Sequence, residues 1–185
     1  MSDWKKSLID CYVSRGAVSV GEFKLAGGGT SNLYIDGRRV STFPKGLRAI
    51  TEGMLEIIRR DGLFAPGCNL VAPVISGIPV VTSLSLALDA PFVMDRGKPK
   101  QHGLGRRFEG VFGEGPRCLI VDDLVTVGST LVQTVDGIRE LGKEVSHAIV
   151  VVDRNEGGRE ILAAKGVSLH ALLSGDQLRE AALPR

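Results

Sequence analysis

The sequence predicts an α/β fold: a mainly parallel, twisted sheet flanked by helices, preceded by a small N-terminal hood. Three observations predict it. Short apolar runs at Asn69 to Val74, Phe92 to Met94, Cys118 to Val121 and Ala148 to Val152 alternate with helical periodicity at Ile78 to Leu88, Ser129 to Leu141 and Arg159 to Lys165. Continuous apolar strands need cover on both faces, which favours parallel pairing with helices on either side. The 185 residues, at 43% apolar and 24% charged, allow one domain with an ordinary core, spanning 1–185. In such a sheet ligands collect beyond the carboxyl ends of the strands.

The elements follow in order. Asp3 to Ser14 places Trp4, Leu8 and Cys11 or Tyr12 at helical steps, and Gly16 stops that helix. Phe23 to Leu25 and Leu33 to Ile35 surround a Gly-Gly-Gly-Thr-Ser stretch and read as a small antiparallel excursion. Together they make residues 1–40 a helix-and-hood subregion. Pro44 to Arg60 is the next helix, with Pro44 in its first turn and Leu47, Ile50, Met54, Ile57 and Ile58 on one face. The alternating strands and helices come next. Met94 to Phe112 interrupts them with Arg96, Lys98, Lys100, His102, Arg106 and Arg107 among glycines and little to bury. A solvated charge run accounts for those charges, but their place after a strand favours a mobile basic flap over an anionic ligand.

Composition excludes several classes. A formal net charge of +2 gives no basic footprint for nucleic acid, and 5% aromatic residues argue against base stacking. The longest wholly apolar runs are too short to span a bilayer, and no targeting segment is visible, so the cytoplasm is the default. Cys11, Cys68 and Cys118 are widely spaced and odd in number, as buried thiols in a reducing compartment would be. The 24 glycines exceed the usual share of about 7%, which suggests backbone held close to a ligand.

The strongest local signal is Cys118-Leu119-Ile120-Val121-Asp122-Asp123-Leu124-Val125-Thr126-Val127-Gly128-Ser129-Thr130. Apolar residues form a strand, two carboxylates stand at its end, and a Thr/Gly/Ser/Thr turn opens a helix. Such a turn aims amide protons and hydroxyls at a phosphate, and the helix terminus adds a favourable field. Two acids beside an anion cradle make sense if the phosphate carries a sugar whose hydroxyls meet Asp122 and Asp123. Local capping by the acids is the simpler alternative. Neither the Walker spacing nor GxGxxG occurs.

From about Phe23 to Asp176 the chain resembles the orotate phosphoribosyltransferases, of the type I phosphoribosyltransferase fold. Five segments in order carry the resemblance. The acid pair with Leu124, Val125, Thr126, Val127, Gly128, Ser129 and Thr130 is similar to the family's site for phosphoribosyl pyrophosphate. Phe23-Lys24-Leu25, Gly28, Thr30-Ser31 and Tyr34-Ile35-Asp36-Gly37-Arg38 resemble the hood over orotate. Ala72-Pro73-Val74-Ile75-Ser76-Gly77-Ile78-Pro79 resembles the pyrophosphate loop, which often holds a cis peptide. Arg96 through Gly110, within residues 95–110, resembles the flexible catalytic loop, and Val151 to Arg159 the segment whose first arginine, Arg154, meets the orotate carboxylate.

The resemblance implies that Lys100, His102 and Asp123 are catalytic. Arg96, Lys98, Asp122, Tyr34, Ile35, Ser76, Gly77 and Arg154 would bind substrate with the phosphate turn. It implies substrate-associated Mg2+ with no dedicated protein metal site, phosphoribosyl pyrophosphate and orotate as partners, and a homodimer with shared sites. Nucleic acid and membrane are not among the partners. The chain departs from the family at Ala26, where a lysine is usual, and at Gly97, where a second basic residue follows the flap's arginine. Transfer to another base, or a regulator that binds phosphoribosyl pyrophosphate without transferring it, remain the alternatives. His147 and His170 flank strand candidates and read as structural.

Overall fold

The computed structural model describes residues 3–24, 30–97 and 106–183. Helix α1 (Asp3–Ser14) buries Leu8, Cys11 and Tyr12. Strands β1 (Val18–Lys24) and β2 (Thr30–Ile35) pair antiparallel as a separate two-stranded sheet, with Val18 opposite Ile35 and Val20 opposite Leu33. The one-turn α2 (Arg38–Ser41) leads into α3 (Pro44–Asp61), which starts on Pro44 as the sequence predicts. Then come β3 (Asn69–Pro73), α4 (Ile78–Leu88), β4 (Phe92–Asp95), β5 (Phe108–Glu109) and β6 (Arg117–Val125). The chain closes with α5 (Ser129–Glu140), β7 (Glu144–Asp153), α6 (Gly158–Ala164), β8 (Ser168–Ser174) and α7 (Gly175–Ala182).

Six strands form the main sheet in the order β5-β4-β3-β6-β7-β8. Only the edge pair β4–β5 is antiparallel; the other pairs run parallel. The apolar runs of the central strands divide between two cores by the period-two rule. Leu70, Ala72, Leu119, Val121, Ile149 and Val151 face Leu8, Ile50, Met54, Val80 and Leu84 from α1, α3 and α4. Val71, Ile120, Ala148 and Val150 face Leu131, Val135, Ile138 and Leu162 from α5 and α6. Each run is apolar throughout because each strand is covered on both sides.

The sequence reading names none of α2, β8 and α7, and its other differences from the structure lie where apolar runs give no signal. β7 starts at Glu144 rather than Ala148, because Glu144 and Ser146 face solvent while their backbone already pairs with β6. β1 starts at Val18, in a hood where Ser19 and Val20 are exposed. The two residues of β5 form only by pairing with β4, so residues 106–110 belong partly to the sheet edge. All three cysteines are buried thiols outside any disulfide, and burial pushes Cys118 up to about 12. Among the described residues no helix is long and apolar enough to cross a membrane.

Candidate active site

Strand β6 runs through the core and delivers Asp122 and Asp123 at its carboxyl end, at 7% and 8% exposure. Asp122 Oδ1 accepts the Asp123 N–H at 2.9 Å. Burial, then the neighbouring charge of Asp123, raises the Asp122 carboxyl well above the ordinary range. Burial raises Asp123 as well, against the opposing pull of its hydrogen bonds and of Arg38. Two glycines close on the pair. A Cβ at Gly37 would stand 2.7 Å from Asp123 Oδ2, and one at Gly77 3.0 Å from Asp122 Oδ1. The hood's exit and the start of α4 therefore both approach the acids by backbone alone.

Beyond the buried Val125 the chain turns at Thr126 to Gly128 and enters α5 at Ser129. Gly128 takes a left-handed φ of 80°, and a Cβ there would meet Ile161 Cγ2 at 2.8 Å and Gly158 Cα at 3.0 Å. Thr126 is half-buried, while Val127, Ser129 and Thr130 are exposed at the helix opening. Gly128→Ala should thus cost about 1 to 2 kcal/mol for the left-handed backbone, with the contact to α6 adding to it. It should also weaken binding of a phosphorylated ligand. Denaturant unfolding and phosphate-ester binding check this together; unchanged stability would show that the turn relaxes around the new side chain.

Thr130 also lines a cavity of about 300 Å³ with Val74, Arg96, Gly97, Gln133 and Thr134. Val74 and Ile75, joined by a cis peptide, are exposed on the β3–α4 loop, and Ser76 is half-buried beside them. Val74 N–H donates to Asp95 O at 2.9 Å, which ties this loop to the end of β4. The fold thus brings the β3–α4 loop, Arg96 and the first turn of α5 to one rim.

Asp95 is the node of that rim. Its buried carboxylate accepts Arg107 Nε and Nη2 at 2.8 Å each, Gly97 N–H at 2.8 Å and Thr134 Oγ1 at 2.7 Å. Burial works against its charge, but the bonds from Arg107, Gly97 and Thr134 outweigh it and hold the carboxyl below its ordinary value. Arg107 also donates to Gln133 O at 2.6 Å. The sequence reading counted Arg107 among the flap cations; its guanidinium instead fastens β5 to β4 and α5. Thr134 went unnoticed in the sequence, although its place four residues after Thr130 puts both on one side of α5. Arg96 stays half-exposed, with Nη1 3.7 Å from Glu109 Oε1. Ala26, Gly28, Lys98, Lys100 and His102 lie outside the described residues.

Arg154 leaves β7 with its N–H on Val125 O at 3.0 Å, at the end of β6. Its side chain is 8% exposed, with Nη2 2.7 Å from Glu156 Oε1 and 3.2 Å from Leu33 O of the hood. Asp153 bonds Arg159 instead, at 3.0 Å. On the hood, Tyr34 is exposed and its ring lies 5.5 Å from that of Phe23, while Ile35 is half-buried. Arg154 and β2 are therefore in contact, and Gly37 links the hood to the acid pair.

Residues 43–170 match the family described as phosphoribosyl transferase domain. The orotate phosphoribosyltransferase of Pyrococcus abyssi is 35% identical over 178 residues, covering 96% of this chain and 97% of that protein. That of Halobacterium salinarum is 34% identical over 174 residues, covering 94% and 96%. The chain belongs to the orotate phosphoribosyltransferase family. The crystal structure of the family's Aeropyrum pernix member superposes with a TM-score of 0.80 at 29% identity, covering 94% of this chain and 97% of that one. The type I phosphoribosyltransferase fold is thus shared along nearly the whole length, with the acid pair of this chain at the carboxyl end of its central strand.

Proposed function

We propose that the chain transfers the 5-phosphoribosyl group from phosphoribosyl pyrophosphate to orotate, giving orotidine 5-phosphate and pyrophosphate in pyrimidine nucleotide synthesis. The observation that carries this reading is the buried Asp122–Asp123 pair set directly before an exposed Thr-Val-Gly-Ser-Thr turn. A phosphate alone would be repelled by the acids; a phosphorylated sugar satisfies both features. Asp122 and Asp123 accept the ribose hydroxyls, and the turn from Leu124 to Thr130 holds the 5-phosphate. Ser76 and Gly77 present the β3–α4 loop to pyrophosphate oxygens.

In the reaction the C1–O bond to pyrophosphate breaks, the N1–C1 bond to the base forms, and the N1 proton is lost. Charge grows on the leaving group while the ribose gains oxocarbenium character, so positioning and electrostatic stabilisation carry the rate. Arg96, Lys98, Lys100 and His102 supply cations for the leaving group, with Lys100, His102 and Asp123 assigned to the chemistry. Tyr34 and Ile35 cover the base. Mg2+ suits the donor set, since pyrophosphate and sugar oxygens supply hard ligands; when bound it neutralises diphosphate charge. Among the described residues no three His, Cys, Asp or Glu side chains gather into a metal cage.

We read 1–185 as one catalytic unit with its hood and loop, working in the cytoplasm as a homodimer. Ile75, on the loop before α4, and Leu86, on α4, are 77% and 83% exposed. These exposed apolar side chains support a second copy seated beside the β3–α4 loop.

Base choice is the test of the proposal. Orotate, uracil, hypoxanthine, guanine and adenine are offered separately with phosphoribosyl pyrophosphate and Mg2+, and nucleotide and pyrophosphate are measured. Orotate should be the substrate. Arg154→Ala should lower orotate use about 10- to 100-fold, from the loss of one charge-assisted contact of about 1.5 to 3 kcal/mol, and leave uracil unaffected. Equal losses on both bases, or a parent protein that rejects orotate and accepts another base, would replace the orotate assignment. Ala26 makes that comparison informative, because Arg154 is then the main cation for the carboxylate.

A further inference from the structure

The amino ends of β7 and β8 carry a polar cluster that the chemistry at the opposite, carboxyl ends does not use. His147 stands opposite Ser168 and His170 opposite Ile149, so the two imidazoles are diagonal neighbours on one face of the sheet. That is the face covered by α3, whose last residue is Asp61. Asp61 Oδ2 lies 3.2 Å from His170 Nδ1, and His170 Nε2 lies 3.4 Å from His147 Nδ1.

The chemistry of the three groups fixes their roles. An ionised carboxylate only accepts, so His170 Nδ1 carries a proton and donates it to Asp61. In the neutral ring the lone pair is then on Nε2, aimed toward His147 Nδ1. Two imidazole nitrogens on one tetrahedral ion, each at about 2.0 to 2.1 Å, stand roughly 3.4 Å apart. That is the separation between the two rings, whose centroids are 5.4 Å apart with planes inclined at 56°. A carboxylate on the far nitrogen of a ligating imidazole is the outer-shell partner that fixes its tautomer and orientation.

We propose that His147 Nδ1 and His170 Nε2 form a two-nitrogen site for a borderline divalent transition ion such as Zn2+, with Asp61 orienting His170 and water completing the shell. Imidazole nitrogen favours such ions over Mg2+, so this site and the substrate-associated ion do not compete. No group of three His, Cys, Asp or Glu ligands gathers among the described residues, so the two imidazole nitrogens are the protein ligands the proposal uses. His147, but not His170, also lines a cavity of about 160 Å³ with Arg117 and Glu144.

Without the ion, His147 Nδ1–H donates to His170 Nε2. On binding, that proton leaves Nδ1 and one returns to Nε2 from water, so the ring stays neutral. Asp61 is also held by Arg60 Nε and Nη2 at 2.7 and 2.8 Å, and Arg159 acts on His170 from α6. These cations weaken the hold on an ion.

Calorimetric titration of the full chain with Zn2+, in excess Mg2+, tests the site. One equivalent should bind. His147→Gln and His170→Gln, which keep polar side chains in place, should each lose at least tenfold in affinity, and Asp61→Asn about 10- to 100-fold. Asp122→Asn with Asp123→Asn should leave Zn2+ binding unchanged. Absence of binding in the parent, or equal binding in both histidine variants while circular dichroism shows them folded, overturns the site. Binding lost with the histidines but untouched by Asp61→Asn overturns the orienting role.

Discussion

Asp122→Asn should lower kcat/KM for phosphoribosyl pyrophosphate about 10- to 100-fold while raising the melting temperature of the ligand-free protein by about 2 to 4 °C. The two effects have one cause. Asp122 is 7% exposed and shares its site with Asp123, so its ionised form is disfavoured by burial and by the second carboxylate. An amide removes that charge, yet its oxygen can still accept the Asp123 N–H now held at 2.9 Å by Oδ1. The ribose hydroxyls, by contrast, lose a charged acceptor.

The pH dependence has a definite sign. A carboxyl raised in the folded state binds its proton more tightly there than in the unfolded chain, so the protein is more stable below the folded pKa and loses that advantage as pH rises through it. Donor binding runs the other way, strengthening as the pair ionises. In Asp122→Asn the limb belonging to that residue should be gone from both profiles. Donor affinity, initial rates and thermal unfolding across pH make the comparison. If Asp122→Asn and Asp123→Asn both keep wild-type donor use, the acids serve only as local caps and the central functional reading falls. A lower melting temperature in Asp122→Asn would show instead that the charge is stabilising.

What could be read in the sequence follows from which forces act locally. The buried strands were legible because Leu119 to Val121 and Ala148 to Val152 are covered on both faces, and such burial writes itself as an uninterrupted apolar run. The acid pair was legible as two adjacent carboxylates at the end of an apolar run, and the structure buries both at the end of β6. Contacts made across loops were not. Asp95 and Arg107 are 12 residues apart, and nothing local distinguishes Arg107 from the other cations of its segment. The diagonal of His147 and His170, 23 residues apart, needs the register of β7 on β8 to exist at all. Gly37 and Gly77 likewise reveal their purpose only once a carboxylate stands where a Cβ would be.

Asp95→Ala should destabilise the protein by about 3 kcal/mol, a fall in melting temperature of roughly 6 to 12 °C. The carboxylate is buried and accepts four hydrogen bonds, two of them from one guanidinium. Removing it leaves Arg107 facing a hole and the Gly97 N–H without that acceptor, while the Thr134 hydroxyl keeps only Thr130 O at 3.2 Å. Breaking a buried ion pair from one side usually costs about 3 to 5 kcal/mol, and the lower end applies because the Arg107 side chain is 18% exposed and water can reach part of it. The carboxyl is held below its ordinary value, so its stabilisation is complete above the unfolded carboxyl's pKa of about 4 and is lost as pH falls through the lower, folded value. Arg107→Met should be milder in combination than alone, because Asp95→Ala with Arg107→Met leaves no unpaired charge; the double-mutant cycle should show a coupling of about 1 to 3 kcal/mol. Since Asp95 also fixes the end of β4 against the helix that carries Thr130, activity should fall in Asp95→Ala even below its melting temperature. Strictly additive single mutants, or a pH-independent difference between parent and Asp95→Ala, would mean that the pair merely sits at the sheet edge and does not hold the rim of the site in place.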